Sequence, residues 1–503
     1  MVGCLEIVCG LVLLGIIIYR YMISNFSYWK DRDIYAPEPV ALFGNSFEIS
    51  TGKISIGHYL KKLYDEKKEE PAVGIFMGKQ PILVLHDPEM IKAVLIKDFS
   101  NFADRGMSIN EKADPLSGHL FSLEPERWRP LRMKLSPTFT TGKLKEMCMM
   151  ITECSEHLEV YLEQLVDKNP IQEVREVTAR FTTDVIGTCA FGIDTKSMGE
   201  GESEFRKMGK KIFDPTTKRA IGLKIQQFLP WLGKALSYFL VDYETCNFFI
   251  NLTIGTINYR RKHDILRNDF INTLMELKDH PESLGNIKLT DNLLVAQAMI
   301  FYAAGFETSS TTISHALYEL ALNQDVQDKL REEIKEDLLK KYDNDLRYEN
   351  IKTLSYLNKV FKETLRKYPP VTVLMRKSHS SYKFEGTKIK IDEKQPVWIP
   401  ALAIHHNPDI YPKPDVFDPE RFSEEGEKAR HPMCYLPFGD GPRNCIGARF
   451  AVYQTKIGLI KIIKNYKVEP CEKTHVPYDP DPKAFILSPK GGIYLKFTKI
   501  KQD

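Results

Sequence analysis

The residues with the clearest chemical potential lie in PFGDGPRNCIGARFA, at positions 437–451. Glycines, a proline and an arginine precede one thiol, Cys445, and the residues after it have the apolar spacing of a helix. A free cysteine is most often a small buried hydrophobe. It can also be a nucleophile at a helix N-terminus or a thiolate ligand to a metal. The turn alone leaves these three interpretations of Cys445 open.

Ligation of haem iron makes demands that this stretch can meet. An anionic sulfur is stabilised where backbone N–H groups and a helix dipole point at it. Gly441 and Gly447 allow the backbone to approach a flat macrocycle. Phe438 can shield the sulfur, and Arg443 can neutralise a propionate. A nucleophile would instead need a His/Asn or His/Asp pair, which the sequence does not exclude elsewhere.

The spacing Phe438-x-x-Gly441-x-Arg443-x-Cys445-x-Gly447 resembles the haem-binding signature of the cytochromes P450 in full. The resemblance implies haem b as the cofactor, with Cys445 as its axial thiolate ligand and as the metal-binding residue. A thiolate in this position pushes electron density toward the iron and favours cleavage of the O–O bond.

Other motifs of the same family follow in the expected order. Residues 304–308 (AGFET) resemble the oxygen-activation groove of a long central helix, and Glu363 and Arg366 resemble the ExxR motif. Arg421, in PERF, resembles the arginine that completes this ion-pair triad. The resemblance implies a structural role for the triad, in which a buried charge network holds the loop that carries Cys445.

A further set of residues is implied to hold the edge of the haem. It consists of one indole and four guanidinium groups: Arg105, Trp128, Arg132, Arg376 and Arg443. Trp128 and Arg132 lie one turn apart on one predicted helix face. Each arginine taken singly is more often a surface residue. As an ordered set, they are expected to offset two propionates through charge-assisted hydrogen bonds.

The AGFET residues are expected to carry the catalytic chemistry. The Thr308 hydroxyl can hold a water, and Glu307 can relay protons from solvent during oxygen activation. Gly305 is expected to leave room for O₂. Phe301 and Ala304, on the same helix, are expected to face the substrate.

Positional similarity to the family predicts a mainly apolar substrate pocket. Its candidate residues are Ser108, Phe121, Phe301, Ala304, Val371, Leu374 and Phe485. The alternative for each is core packing. An apolar set indicates a lipophilic substrate. Two segments, DPLSGHLFSLEPERWRPLR and RKHDILRNDFINTLMELK, resemble the insect microsomal, xenobiotic-associated subfamily, which is related to the vertebrate drug-metabolising branch.

The resemblance implies a monooxygenase that uses O₂ and NADPH-derived electrons on plant toxins, insecticides, or endogenous lipids or hormones. NADPH-cytochrome P450 reductase is the expected electron donor, with cytochrome b5 as a second one. A basic patch is expected to receive an acidic flavoprotein: Lys134, Lys143, Lys145, Arg443 and Arg449. A net charge of +3 argues against a dedicated nucleic-acid binder.

Two other functions fit the same fold. A haem-thiolate isomerase or dehydratase rearranges a peroxide without a reductase, and a carrier binds haem or ligand without catalysis. The intact pair of Glu307 and Thr308 favours the monooxygenase, because an enzyme that receives a ready-made O–O bond needs no proton relay.

The N-terminus predicts a membrane anchor at residues 1–24. An uncharged core from Ile7 to Tyr19 could also be a signal peptide, but no small-residue cleavage site follows it. Tyr28 and Trp29 are expected at the membrane interface, and Lys30 adds positive charge after the segment. We therefore expect an anchor in the endoplasmic reticulum membrane, a hinge at 25–50, and a catalytic domain at 51–503 facing the cytosol.

The elements that must position these residues are mainly helical, with a minor β region, and the resemblance implies the cytochrome P450 fold. A hairpin with its turn at Gly78–Pro81 precedes mostly helical residues at about 124–340. Within them, a long helix begins at an N-cap candidate, Thr290, and carries the helix-weakening AGFET sequence at its centre. AFILSPKGGIYLKF, near the C-terminus, predicts a second hairpin.

Overall fold

The computed structural model describes residues 2–199, 201–213, 235–239 and 241–500, together with positions 222 and 225. Within this part the chain is mainly α with minor β, as predicted. The helices are α1 (Val2–Ile23), α2 (Phe47–Ser50), α3 (Ile56–Glu66), α4 (Pro88–Lys92), α5 (Pro125–Leu135), α6 (Thr141–Lys168), α7 (Val174–Ile186), α8 (Glu204–Phe213), α9 (Tyr243–Lys262), α10 (Phe270–Asp279), α11 (Asp291–Leu322), α12 (Gln324–Glu333), α13 (Tyr348–Thr353), α14 (Ser355–Lys367), α15 (Ala401–His405), α16 (Glu424–Lys428) and α17 (Ala448–Asn465).

The strands form three small sheets. They are β1 (Ala72–Met77), β2 (Gln80–Leu85), β3 (Ile171–Glu173), β4 (Leu374–Lys377), β5 (Tyr382–Lys383), β6 (Lys390–Ile391), β7 (Pro396–Ile399), β8 (Tyr466–Pro470) and β9 (Tyr494–Lys499). The largest sheet has the order β1-β2-β7-β4, with β2 and β7 parallel and the other neighbours antiparallel. A three-stranded sheet has the order β3-β9-β8, and β5 pairs with β6.

The first predicted hairpin is confirmed, and the second is wrong. β1 and β2 pair in register from Ala72↔Leu85 to Met77↔Gln80, so the turn is tighter than predicted and uses Gly78 at φ 61°. Near the C-terminus, β9 pairs with β3 and β8 instead of with the AFILSP segment before it. The alternation in IYLKF was a true strand signal, but sequence could not show that its partners lie far away in the chain.

The long central helix is confirmed as α11, which has 32 residues and is roughly 48 Å long. The Thr290 hydroxyl accepts a hydrogen bond from the Leu293 N–H at 3.1 Å and caps its N-terminus. α11 lies in the largest hydrophobic cluster together with residues of α6, α7 and α17. On α7, the Thr182 hydroxyl donates to the Phe306 carbonyl at 2.9 Å, which fixes α7 against the centre of α11.

The N-terminal helix α1 exposes its apolar side chains, and Glu6–Ile23 is long and apolar enough to cross a membrane. The segment after it does not behave as predicted at one residue. Trp29 was expected at a membrane interface, but it is fully buried and its indole N–H donates to the Ile75 carbonyl of β1 at 3.1 Å. A large ring with one N–H donor is well satisfied in such a pocket. The predicted hinge is thus docked on the main sheet.

Candidate active site

The loop before α17 holds Cys445 by backbone hydrogen bonds. The Cys445 N–H donates to the Phe438 carbonyl at 2.9 Å, and the Asn444 N–H donates to the Gly441 carbonyl at 3.1 Å. Cys445 keeps accessible surface, yet burial raises the pKa of its thiol. The accessible surface therefore faces the protein interior. A hydrogen bond from the Gly447 backbone and the positive charges of Arg132 and Arg105 oppose this rise.

Gly441 and Gly447, the two glycines predicted for close backbone approach, differ in whether the surrounding protein leaves room for a side chain. Gly441 has φ +74°, and a Cβ there would lie 1.8 Å from the Leu95 carbonyl oxygen. A Cβ on Gly447 would meet only the Phe139 ring, at an ordinary contact distance of 3.6 Å. The backbone conformation and the contact with Leu95 therefore require a glycine at position 441. Neither applies to Gly447, which is the glycine available to a bound group.

One face of α11 is accessible at its centre, although most of this core helix is buried. Ala304 is exposed, and Phe301, Gly305 and Thr308 are partly exposed. These residues follow the i, i+3, i+4, i+7 spacing of a single helix face. The neighbouring Glu307 is only 5% exposed. A strip of small and hydroxyl residues is thus accessible in the middle of an otherwise packed helix.

The Thr308 hydroxyl donates to the Ala304 carbonyl at 2.7 Å, one turn back along the helix. Thr312 repeats the pattern by donating to the Thr308 carbonyl at 2.8 Å. Because a hydroxyl oxygen has two lone pairs, Thr308 can still accept a hydrogen bond on the accessible strip.

Glu307 forms an ion pair that the motifs did not predict. Its carboxylate accepts a hydrogen bond from the Arg175 guanidinium, at the start of α7. The Arg175 side chain is 29% exposed, whereas that of Glu307 is 6% exposed. The pair therefore connects a buried carboxylate beside Thr308 to the protein surface. An arginine 132 residues away carries no local sequence signal of this contact.

Gly305 lies where α7 packs on α11. A Cβ at this position would lie 2.3 Å from Cδ1 of Ile186, at the end of α7. The end of the Ile186 side chain would have to move to admit a larger residue, so this packing favours glycine. The predicted role of Gly305, to leave room for O₂, stays a prediction.

Four predicted haem-edge arginines cluster without a carboxylate at ion-pair distance, and Asp104 and Glu124 act on Arg443 only from farther away. Arg105, Arg132, Arg376 and Arg443 form no ion pair within the described part of the chain. Burial lowers the pKa of Arg376 and of Arg443 to about 10, and Arg443 adds to the effect at Arg376 by like-charge repulsion. The pKa of Arg105 is lowered well below its usual value, by burial first and then by Arg376 and Arg443. Such a group of buried cations is costly, and an anionic partner would stabilise it.

The hydrogen bonds of these arginines go mostly to neutral acceptors. Arg105 donates to the carbonyls of Phe121 at 2.9 Å and Arg443 at 3.1 Å. Arg132 donates to the Asn444 carbonyl and side-chain oxygen, both at 3.0 Å. Nε atoms of Arg376 and Arg443 are buried without a partner among the described residues. Unused donors beside an accessible thiol fit the two propionates and the iron of a haem.

Trp128 belongs to the same region but is mainly a packing residue. It is buried on α5, and the Arg443 guanidinium lies 4.8 Å from its ring centroid. Arg443 also donates to the carbonyls of Ala103 and Leu123. The cation–π contact therefore fixes the arginine that precedes Cys445 by two residues.

The predicted structural triad is assembled. Arg366 makes a bidentate pair with Glu363 at 2.7 and 2.8 Å, and both side chains are fully buried. Arg421 Nε lies 3.4 Å from the same carboxylate. Burial raises the pKa of Glu363, and Arg366 opposes that rise. The structure adds His405, which sequence analysis missed: Arg366 donates to its carbonyl at 2.9 Å.

Only some of the predicted substrate residues lie near the strip on α11, the Arg105 side chain or the Cys445 loop. Ala304 lies on the accessible strip, Phe121 lies 4.2 Å under the Arg105 guanidinium, and Leu374 begins β4. Leu374 methyls lie 3.9 to 4.0 Å from the Cβ position of Gly439, so this side chain contacts the Cys445 loop.

Phe301 stacks on Phe270 at 4.4 Å and on Phe139 at 5.5 Å, so packing accounts for it. Ser108 and Phe485 are exposed, and Val371 is partly buried.

The predicted basic patch must be revised. Arg443 is 1% exposed, so its inclusion in a surface was wrong. Lys145 pairs with Glu349, and Lys143 lies 3.7 Å from Glu146. Lys134 and Arg449 remain exposed without an ion pair among the described residues.

Comparison with known proteins agrees with this arrangement. The sequence model of the family described as Cytochrome P450 matches residues 35–497. The chain therefore belongs to the cytochrome P450 family of monooxygenases. It is 41% identical to Cytochrome P450 6A1 of Musca domestica over 484 residues, which is 95% of each chain. It is 41% identical to Cytochrome P450 6a2 of Drosophila melanogaster over 488 residues, covering 95% of this chain and 96% of the relative. Cytochrome P450 6k1 of Blattella germanica is 38% identical over 510 residues, 97% of each chain.

Proposed function

We propose that this chain inserts one oxygen atom of O₂ into lipophilic substrates, with electrons supplied from NADPH through a reductase. The buried Glu307 carboxylate beside the accessible strip of α11, with its surface connection through Arg175, carries this proposal. A monooxygenase must bring protons from solvent to the site of oxygen activation, and this pair provides donors and acceptors along such a route.

The cofactor that fits the site is haem b. Arg105, Arg132, Arg376 and Arg443 would neutralise its propionates, and Cys445 would ligate its iron. The bound haem supplies the oxygen-activating redox chemistry. Gly447 contributes space beside the thiol, and its backbone N–H stabilises the anionic sulfur.

The residues on α11 would handle protons. Thr308 can accept a hydrogen bond from a water and orient it on the strip, while its own O–H donates to the Ala304 carbonyl. Glu307 can take a proton that enters along Arg175 and release it toward Thr308 when its carboxylate turns from the guanidinium.

The proposed substrate class rests on the apolar character of the residues beside the strip. Ala304 and Leu374 offer apolar surface, which suits a lipophilic molecule. Plant toxins, insecticides, and endogenous lipids or hormones all have this character. Thr308 would be the polar contact nearest to such a substrate.

The partner surface we propose is the exposed pair of Lys134 and Arg449, with Lys143 beside it. NADPH-cytochrome P450 reductase would bind there as an acidic flavoprotein, and cytochrome b5 is the second candidate. Helix α1 would anchor the protein in the endoplasmic reticulum membrane, with the catalytic domain in the cytosol. Lys134→Glu with Arg449→Glu should weaken reduction by the reductase more at low salt than at high salt. Equal rates for variant and parent would contradict this surface.

Spectra and turnover test the function as a whole. The reduced, haem-loaded protein should give the long-wavelength carbon monoxide band typical of thiolate ligation, and Cys445→Ser should lose it. NADPH consumption with reductase and a lipophilic substrate should yield an equal amount of hydroxylated product. Peroxide rearrangement without reductase would identify an isomerase instead, and the absence of both activities would support a carrier.

A further inference from the structure

A second polar cavity lies outside the site around Cys445. It has a volume of about 280 Å³ and lies between the end of α3, the start of α4 and the turn at Pro432–Cys434. This volume is just below the roughly 300 Å³ at which pockets for drug-sized ligands begin, so the cavity suits a molecule smaller than those. Aromatic and polar side chains line its interior: Tyr64, His86 and Asn407.

His86 is an unpartnered polar group within this cavity. The residue is 5% exposed, and neither ring nitrogen has a hydrogen-bond partner among the described residues. The carbonyls of Lys67 and Glu70 face the ring without reaching hydrogen-bond geometry. Leaving a buried polar atom unpaired costs free energy, because the group has lost its hydrogen bonds to water. A ligand that hydrogen-bonds to this imidazole would recover that free energy.

The protonation state of the His86 imidazole decides whether a ligand must donate or accept a hydrogen bond there. Burial lowers the pKa of His86 to about 4, so the ring is neutral at pH 7. A neutral imidazole has one nitrogen that accepts a hydrogen bond, which suits a ligand with N–H donors. The Tyr64 ring lies 4.5 Å from the His86 ring, centroid to centroid, and adds an aromatic face. Asn407 donates to the Tyr64 hydroxyl at 3.0 Å and fixes it in place.

The charges around the opening favour a cation. Glu69, Glu70 and Asp87 line the cavity, and the single lining lysine, Lys68, pairs with Asp409 at 2.7 Å. Asp87 uses one oxygen to cap α4 by accepting from the Met90 N–H at 2.8 Å. The remaining carboxylate oxygens leave the rim with an excess of negative charge, which attracts cations and repels anions.

The cavity is also lined by apolar side chains, those of Ile91, Ile404, Ile410 and Met433. A ligand that contacts both the polar and the apolar lining needs a cationic N–H group and an apolar body. We propose that this cavity is a second binding site, for a small organic cation such as an aryl- or alkylamidinium. The site is separate from the one in which the proposed substrate would be oxidised.

The proposal is tested with benzamidine on the haem-loaded full chain in detergent, by titration calorimetry. An azole that ligates the iron is present at saturation to block the active site. Benzamidine is suitable because its amidinium stays protonated and has no lone pair for the iron. We expect saturable binding of benzamidine, at least about tenfold weaker binding of the neutral benzamide, and no binding of the anionic benzoate. From benzamidine to benzamide to benzoate, the ligand loses one unit of positive charge at each step while its shape stays nearly constant.

Variants locate the site. His86→Phe should weaken benzamidine binding at least about tenfold, and Glu69→Gln with Glu70→Gln should weaken it and reduce its dependence on salt. His157→Phe, on an exposed position of α6, is the matched control and should leave binding unchanged. Absence of benzamidine binding, equal binding of benzoate, competition by the azole, or unchanged binding in His86→Phe would each overturn the proposal. None of these results depends on turnover, so failure here is distinct from failure of the proposed monooxygenase function.

Discussion

The backbone N–H of Leu436 donates to Nε2 of His405 at 2.8 Å, and this bond joins the Glu363–Arg366 network to the loop that carries Cys445. Arg366 donates to the carbonyl of the same histidine at 2.9 Å. Because Nε2 accepts, the neutral ring must carry its proton on Nδ1. The buried triad thus reaches the thiol loop through one imidazole, which must remain uncharged.

We predict that the protein loses stability in acid below about pH 6.5, the ordinary pKa of histidine. Burial lowers the pKa of His405, His406 and His315 to about 3, and of His86 and His119 to about 4. As pH falls from 6.5 toward these values, the unfolded chain binds protons that the folded chain does not, and the free energy of unfolding decreases. Denaturant unfolding at a series of pH values measures this slope.

The variant His405→Gln tests how much of that acid sensitivity comes from one ring. Its side-chain carbonyl can still accept from Leu436, but it has no proton to gain, so the slope between pH 6.5 and 4 should be smaller. An unchanged slope would assign the acid sensitivity to other groups.

We predict that Glu363→Gln destabilises the protein by roughly 3–5 kcal/mol, because it leaves the buried Arg366 charge unpaired. Glu427→Gln is the matched control, since Glu427 on α16 pairs with Lys362, which lies beside Glu363 on α14, and both side chains are partly exposed. That change should cost about 0–1 kcal/mol. Urea unfolding of the two variants gives the comparison, and equal losses would show that the triad is not a stability element.

We predict opposite effects of Arg376→Gln on the apoprotein and the haem-loaded protein. Without haem, removal of one of four clustered positive charges relieves repulsion and should raise or preserve the melting temperature. With haem, loss of a charge-assisted bond of roughly 1.5–3 kcal/mol should lower haem affinity about 10- to 100-fold.

The measurement for Arg376→Gln is the rate of haem transfer to an acceptor protein, paired with thermal unfolding of both forms. Arg129→Gln, at an exposed position of α5, is the control and should change neither quantity. The same direction of change in both forms would contradict a propionate role.

We predict that alanine substitutions of the two glycines near Cys445 have different effects on apoprotein stability and on haem incorporation. Gly441→Ala forces a left-handed backbone on alanine, which costs about 1–2 kcal/mol, and adds a clash with the Leu95 carbonyl, so it should destabilise the apoprotein. Gly447→Ala should leave apoprotein stability nearly unchanged and reduce haem incorporation. Expression of both variants with and without added haem precursor, followed by thermal unfolding, separates the two effects.

We predict that Glu307→Gln slows oxygen activation by at least about tenfold, within the range expected for loss of an acid–base group, and raises the solvent isotope effect. Arg175→Gln should do the same to a smaller extent, because the carboxylate remains but loses its cation. Arg180→Gln, on the same helix and paired with Glu176, should leave turnover and isotope effect unchanged. Substrate binding, measured by spectral titration, should not change in any of the three.

Local chemistry made much of the site predictable from sequence. The turn around Cys445, the cap at Thr290 and the i, i+3 pair of Glu363 and Arg366 are all encoded by neighbours in the chain. Family resemblance supplied the arginines that local rules could not connect, and the structure gathers them around an accessible thiol.

Contacts between residues far apart in the chain could not be predicted from the sequence. Nothing near Arg175 or His405 in the sequence shows that they meet Glu307 and Leu436. The same limit applies to Trp29, whose ring suits a membrane interface as well as it suits a pocket on β1. Burial of Arg443 could not be read from a basic turn, because a charged residue is usually exposed unless the fold provides acceptors.

The burial of Trp29 limits how far the main sheet can move from α1. Only six residues lead from Ile23 to Trp29, which at full extension span roughly 20 Å. Arg32 adds a second attachment by pairing with Asp392 at 2.7 Å. A protein held by α1 would therefore keep its β1–β2 edge close to α1. The tilt of the domain relative to α1 would be set by the packing of the Trp29 indole on β1, because the connecting segment is too short to allow free rotation.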